Sequence, residues 1–162
     1  MIFPYPYKIY ENVTQIIPSD LILMGISGVL LDIDGTLMRT KDNNPSTEVR
    51  QWLQSLKQNN ISLYVLSNNK HPERVKSFAQ SINAEWTYLA HKPQKQGFYN
   101  AAKCLNLPHS RIAVIGDQIF TDMLGAARCG MKGLLVNSMD TYLWYYHPRH
   151  LLERIFWREI KK

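Results

Sequence analysis

The sequence lacks a long hydrophobic run. Its longest nearly apolar stretch, Leu21 to Leu31, is broken by two glycines and a serine. It falls short of the roughly 18 residues expected of a membrane-crossing helix. The N-terminus, MIFPYPYKIY, carries early prolines and no basic region followed by an apolar one. No signal or transit peptide is expected from it. Cysteine is scarce: Cys104 and Cys129 stand far apart, with neither metal nor redox spacing. Two free thiols in a reducing cytoplasm are the expectation. There is no internal repeat and no low-complexity tract.

Acidic residues are the scarcer charge, 13 against 19 basic ones, for a formal net charge of +6. What is plentiful is apolar: 45% of the 162 residues are hydrophobic, enough for one domain with a sizeable core. A single domain over residues 1–162 is expected. Residues 1–27 would form an N-terminal extension and 141–162 a basic C-terminal segment.

Short β-branched runs alternate with helical patterns. Strands are expected at Val29–Ile33, Ser62–Leu66, Trp86–Leu89, Ile112–Ile115 and Gly133–Val136. Helices are expected around Pro18–Met24 and over Ser46–Asn59, Pro72–Ile82, Gln94–Leu105, Phe120–Cys129 and Arg149–Glu159. The second of these places Val49, Trp52, Leu53 and Leu56 on one face. Such alternation implies an α/β fold, a mostly parallel sheet covered on both sides. In those sheets ligands bind beyond the carboxyl ends of the strands, where strand order reverses.

The residues just past each strand therefore carry the chemistry. Past the first come Asp32 and Asp34, within GVLLDIDGTL. Past the second comes Ser67-Asn68-Asn69, past the third His91-Lys92-Pro93, and past the fourth Gly116-Asp117, with Asp122 following. Gathered carboxylates repel and are costly to desolvate; a divalent cation removes that cost. Oxygen-only ligands suit Mg²⁺. Asp32 and Asp117 would ligate through their side chains and Asp34 through its backbone carbonyl. A carboxylate can also attack phosphorus and form an aspartyl-phosphate. Asp32 would be that nucleophile. Asp34 would protonate the leaving oxygen and later deprotonate water. Lys92, the Ser67 hydroxyl and the amides around Asp34 and Gly35 would neutralise the phosphoryl oxygens. Thr36 supports the loop. Asn68 and Asn69 either contact substrate or shape the turn.

DIDGT after an apolar strand, then Ser67, then Lys92, then GDQIFTD, resembles the haloacid dehalogenase-like phosphatase superfamily. The resemblance spans Val29 to Asp122. It implies a three-layer Rossmann-like sheet of order 5-4-1-2-3, Mg²⁺ as cofactor and the roles given above. It also implies that Asp122 supports the metal ligands from behind. Asp34 favours a phosphatase or phosphomutase within that superfamily. Only Met38–Asn44 fills the first gap where members carry a cap, and one helix and one strand fill the second. No cap domain is expected, and the open site suits large or surface-bound substrates. The SNN, KP and GDQ-x-x-TD pattern is similar to the YqeG-type branch of subclass IIIA. That branch is itself similar to phosphatidylglycerophosphate phosphatases. A phosphate ester is thus the expected substrate, with an anionic phospholipid as one form of it. A small soluble phosphate ester, a receiver-type signalling domain and a non-catalytic phosphate-binding scaffold are the competing readings.

The C-terminal segment, TYLWYYHPRHLLERIFWREIKK, puts Leu151, Leu152, Ile155, Phe156 and Ile160 on one helical face, with bases mostly elsewhere. Such a helix either packs on the domain or lies in a membrane interface, drawn to anionic lipid. His147 and His150 have helix-like spacing but no third ligand. No nucleic-acid motif is present. A cytoplasmic protein, with peripheral contact at a membrane surface as an option, is the expected location. The sequence leaves oligomeric state open.

Overall fold

The structure is a computed structural model and describes residues 3–140. The expected helix at Arg149–Glu159 and the histidine pair lie outside the described residues. Six strands form one parallel sheet: β1 (Lys8–Tyr10), β2 (Gly28–Leu31), β3 (Ser62–Leu66), β4 (Glu85–Thr87), β5 (Ile112–Gly116) and β6 (Lys132–Val136). Their spatial order is β1-β6-β5-β2-β3-β4. The five expected strands take the expected order, and β1 adds an edge. It pairs Lys8 with Leu134 and Tyr10 with Val136. The stretch expected as an N-terminal extension therefore completes the sheet.

The helices are α1 (Pro18–Leu23), α2 (Thr47–Gln58), α3 (Pro72–Ser81), α4 (Lys95–Leu105) and α5 (Leu124–Cys129). Ser46 caps α2: its hydroxyl accepts from the Val49 amide at 3.3 Å, satisfying one of the N–H groups the first turn leaves unpaired. Gly130 ends α5 in the left-handed region at φ 68°, the usual glycine stop.

Period-two alternation in the strands divides the core. Val29, Leu31, Leu63, Val65, Ala113 and Ile115 point to the side covered by α2 and α3, where Trp52, Leu53, Leu56, Val75 and Phe78 meet them. Leu30, Tyr64, Leu66, Ile112 and Val114 point to the other side, against Phe98, Ala101 and Ala102 of α4 and Ala126 and Cys129 of α5. Both faces of the central strands are thus dry, as a parallel sheet requires. Trp52 also anchors the N-terminal segment, its indole N–H donating to the Ile16 carbonyl at 2.7 Å.

Three elements differ from expectation by more than one residue. β2 is Gly28–Leu31, not Val29–Ile33. β4 is Glu85–Thr87, not Trp86–Leu89. After Thr87 accepts from the Ser67 amide, the chain turns back, and Leu89 enters the left-handed region at φ 46°. The amides of Leu89 and Ala90 then bond the Asn69 and Ser67 carbonyls, fastening this loop to the one after β3. The helix expected from Phe120 begins as a π-helical turn, Ile119–Met123, before α5. Such wide turns cluster at functional sites.

Candidate active site

Strand order reverses between β2 and β5: β3 and β4 lie to one side, β6 and β1 to the other. The two strands pair in level register, Leu31 opposite Ile115, and the Asp32 amide donates to the Ile115 carbonyl at 3.0 Å. Asp32 and Asp117, the first residues past the ends of β2 and β5, therefore emerge close together, Asp32 level with Gly116 and Asp117 one residue further out. The π-helical turn brings Asp122 up from beneath. Carboxylate oxygens of Asp32, Asp117 and Asp122 all lie within 4.8 Å of one another, and all three residues are buried.

Lys92 sits among them with its side chain 2% exposed. Its ammonium donates to Asp32 Oδ1 and to Asp122 Oδ1, each at 2.7 Å. The other Asp122 oxygen accepts from the Gln118 amide at 3.3 Å. The Thr36 hydroxyl lies 3.3 Å from Asp32 Oδ2 and 3.2 Å from Asp117 Oδ1, one hydrogen between two acceptors. Asp117 also receives a hydrogen bond from the Ser138 hydroxyl.

One buried ammonium faces three buried carboxylates, so negative charge is in excess. The electrostatics register it. Burial pushes the Asp32 carboxyl up to about 6, with Asp122 and Asp34 adding to the rise. Lys92 opposes that rise and does not cancel it. Burial also drives Asp117 well above the usual carboxylate range, reinforced by the charges of Asp32 and Asp122. For Lys92, burial pulls the ammonium toward neutrality, but Asp122 and Asp32 outweigh it and the net shift is upward. A divalent cation fits this donor set: all-oxygen, hard, and short of positive charge.

Asp34 stands apart from that cluster. Its Oδ1 accepts from Arg74 Nε at 3.0 Å and Nη2 at 2.7 Å, and its Oδ2 accepts from Asn69 Nδ2 at 2.6 Å. Gly35 adopts φ 84°, and its carbonyl accepts from the Met139 amide at 2.8 Å. A Cβ there would lie 2.5 Å from Asp117 Oδ2 and 2.9 Å from Ser138 Oγ, so only glycine fits.

Ser67 is buried, and its hydroxyl accepts from the Asn69 amide at 3.0 Å, which leaves the hydroxyl hydrogen to donate elsewhere. Asn68 uses both ends of its amide on Lys92's main chain. Oδ1 accepts from the Lys92 N–H at 2.8 Å, and Nδ2 donates to the Lys92 carbonyl at 3.1 Å. Of the two uses considered for Asn68, turn shaping is the one its contacts display. It holds the loop that delivers the lysine.

The ten residues given roles from the sequence, Asn69 among them, thus gather at one edge of the sheet. Sequence reasoning missed two neighbours. Ser138 follows β6, and the rule of looking past each strand would have found it had it been applied to the fifth strand as well. Arg74 lies in the first turn of α3. A cation there opposes the helix dipole, and that mismatch was the available signal.

Comparison with known proteins agrees with this geometry. The haloacid dehalogenase-like hydrolase family profile matches residues 42–130. The probable phosphatase YqeG of Bacillus subtilis is 31% identical over 134 residues, 83% of this chain and 77% of that protein. A structure of an uncharacterized Listeria monocytogenes protein aligns with a TM-score of 0.60 at 17% identity, covering 72% of this chain and 84% of that one. The cobalt-bound deoxy-D-mannose-octulosonate 8-phosphate phosphatase of Haemophilus influenzae aligns with a TM-score of 0.56 at 18% identity, covering 72% and 81%. These two structures share the fold, and the expected likeness to the YqeG-type branch is found. The chain belongs to the haloacid dehalogenase-like hydrolases.

Proposed function

We propose that the protein is a Mg²⁺-dependent phosphomonoester hydrolase working through an aspartyl-phosphate on Asp32. The observation that carries this reading is the buried trio Asp32, Asp117 and Asp122, with Lys92 bonded to two of its members. Asp32 and Asp117 through their side chains, and Asp34 through its carbonyl, would hold the cation. When bound, the cation supplies charge neutralisation for the phosphoryl oxygens. Asp122 has both oxygens engaged by Lys92 and Gln118, which suits a supporting role behind the ligands.

In the first half-reaction, an Asp32 oxygen forms a bond to phosphorus and the bond to the leaving oxygen breaks. Asp34 gives that oxygen its proton. Lys92, the Ser67 hydroxyl and the amides around Gly35 hold the transferring oxygens, and Thr36 steadies the loop between the carboxylates. In the second half, Asp34 takes a proton from water, and the water oxygen bonds to phosphorus. The acyl phosphate bond breaks, returning Asp32 and inorganic phosphate.

The substrate we favour is large or surface-bound, with phosphatidylglycerophosphate as one case. Three features support this. Among the described residues, no second domain covers this edge. Arg39, Lys41, Lys70 and Lys95 stand exposed on segments at it, suited to an anionic surface. The apolar and basic pattern of residues 141–162 suits peripheral contact with such a surface. No helix among the described residues is long and apolar enough to cross a membrane. A cytoplasmic location and a single domain over the whole chain complete the proposal.

The test is phosphate release with and without Mg²⁺, by the native chain and by Asp32→Asn. The substrates are an aryl phosphate, phosphatidylglycerophosphate in micelles, and soluble sugar and nucleotide phosphates. Release by the native chain alone, dependent on Mg²⁺, is expected. Equal release by both proteins overturns the reading. Preference for a soluble ester replaces the lipid with a small metabolite, and no release at all favours a phosphate-binding scaffold.

A further inference from the structure

We propose that Arg74 is a positioning residue that sets the orientation of the Asp34 carboxylate and at the same time fastens the Arg39–Asp42 segment beside it. The first half of this proposal rests on the reading of Asp34 as the proton-transfer group. The second half stands without it.

Arg74 is the third residue of α3, where backbone N–H groups present partial positive charge and a cation is disfavoured. What holds it there is a set of directed contacts. Nε and Nη2 both reach Asp34 Oδ1, Nη1 reaches the Asp42 carbonyl at 2.7 Å, and Nη2 also reaches the Arg39 carbonyl at 3.3 Å. The side chains of Arg74 and Asp34 are only 19% and 20% exposed, so the pair is largely shielded from water. Asn69 holds the other carboxylate oxygen. Three N–H groups from two different elements thus fix the plane of one carboxylate. The same guanidinium closes the segment that follows DIDGTL onto α3. That segment is tied from its opposite side, where the Thr40 amide and hydroxyl donate to Asp140. A lysine cannot reproduce this. Its ammonium is a point charge, whereas the contacts here need a planar fork with donors in three directions.

The experiment compares the full-length native chain, Arg74→Gln, Arg74→Lys, Asp34→Asn and the double variant Asp34→Asn/Arg74→Gln, all with Mg²⁺. Two substrates are used: 4-nitrophenyl phosphate, whose leaving group departs readily, and glycerol phosphate, whose alkoxide must be protonated. Both single Arg74 variants should lose about 100-fold in kcat/KM on the alkyl ester, the scale of a general acid. They should lose roughly tenfold less on the aryl ester. The double variant should be no slower than Asp34→Asn, because Arg74 acts through that carboxylate. Equal proportional losses on the two esters, or additive losses in the double variant, would overturn the positioning role. Independently of turnover, amide hydrogen exchange over residues 39–42 should quicken in both Arg74 variants relative to native. Unchanged exchange overturns the fastening role. A native chain that releases no phosphate refutes the hydrolase reading and with it the role assigned through Asp34, while the exchange result still decides the other half.

Discussion

Replacing Lys92 with methionine is the perturbation that most directly probes the charge balance of the site. Methionine keeps an unbranched chain as far as Cε and removes the ammonium. Native Lys92 makes two 2.7 Å charge-assisted bonds, to Asp32 and Asp122, with its side chain 2% exposed. Removing one partner of a buried ion pair costs about 3–5 kcal/mol, because the remaining charges keep their desolvation and lose their compensation. For a chain of this size each kcal/mol corresponds to roughly 2–4 °C in melting temperature, so a fall of about 12 °C is expected near pH 7.5 in chelator. Protons can relieve the loss. Without the lysine, carboxylates already pushed upward are pushed further, and between pH 7.5 and 5.5 the variant should bind about one proton more than native. Stability rises as pH falls wherever the folded state binds the extra proton. Two pH units are worth about 2.7 kcal/mol for one proton. The gap between native and variant should therefore close to within about 4 °C at pH 5.5. Paired thermal melts at the two pH values, with far-UV circular dichroism to confirm folding, decide it. A variant that melts with native at pH 7.5, or a gap that does not narrow at pH 5.5, refutes the reasoning.

Two further outcomes follow from the same electrostatics and from the loop. Asp32 has its folded-state value raised from 3.8 to about 6, so folded protein holds its proton longer than unfolded chain does. Its contribution to cation-free stability is present below about pH 4 and is lost as pH rises through about 6, some 3 kcal/mol in all. In denaturant melts chelated native protein should show that decline, and Asp32→Asn should show one smaller by about 3 kcal/mol, the remainder coming from Asp117, whose carboxyl burial also raises; parallel curves for the two proteins would contradict the assignment. Gly35→Ala places a methyl against Asp117 and Ser138 at a φ that alanine rarely adopts. It should cost about 1–3 kcal/mol and weaken Mg²⁺ binding by displacing Asp117, read by melts and calorimetric titration; native affinity in this variant would show that the loop yields without moving the carboxylate.

The parts of the fold legible in the sequence are those fixed by hydrophobic pattern. Val29-Leu30-Leu31, Leu63 to Leu66 and Ile112 to Ile115 are apolar on both faces, and the helices between them carry single apolar stripes, so a parallel sheet is the only economical arrangement. β1 was hidden because Lys8-Ile9-Tyr10 is short, follows two prolines and carries no alternation. Only the exposed edge of β6 makes it a strand. The shift of β4 was hidden for a related reason. Tyr88 and Leu89 have strand-forming side chains, yet the bonds to Asn69 and Ser67 bend them out of the sheet. Site residues placed directly after strands were legible because topology brings strand ends together. Arg74 was not, since it reaches the edge from a helix and its partners lie 40 and about 32 to 35 residues away in sequence.

The spacing of the central carboxylates is set by the core rather than by the carboxylates themselves. Val29 and Leu31 face α2 and α3 while Leu30 faces α4 and α5, and β5 alternates in step, with Ala113 and Ile115 on the first side and Val114 on the second. A slip of β2 by one residue against β5 would send each of these side chains to the wrong layer. It would also shift Asp32 by one level relative to Asp117. Register is therefore held by many buried aliphatic contacts, each worth about 1.5–3 kcal/mol, against a repulsion between acids that Lys92 only partly relieves. That is why the sheet can present a cluster of like charges at its edge: the residues that tolerate the cluster lie a few ångströms below it, in strands whose pairing admits no other level.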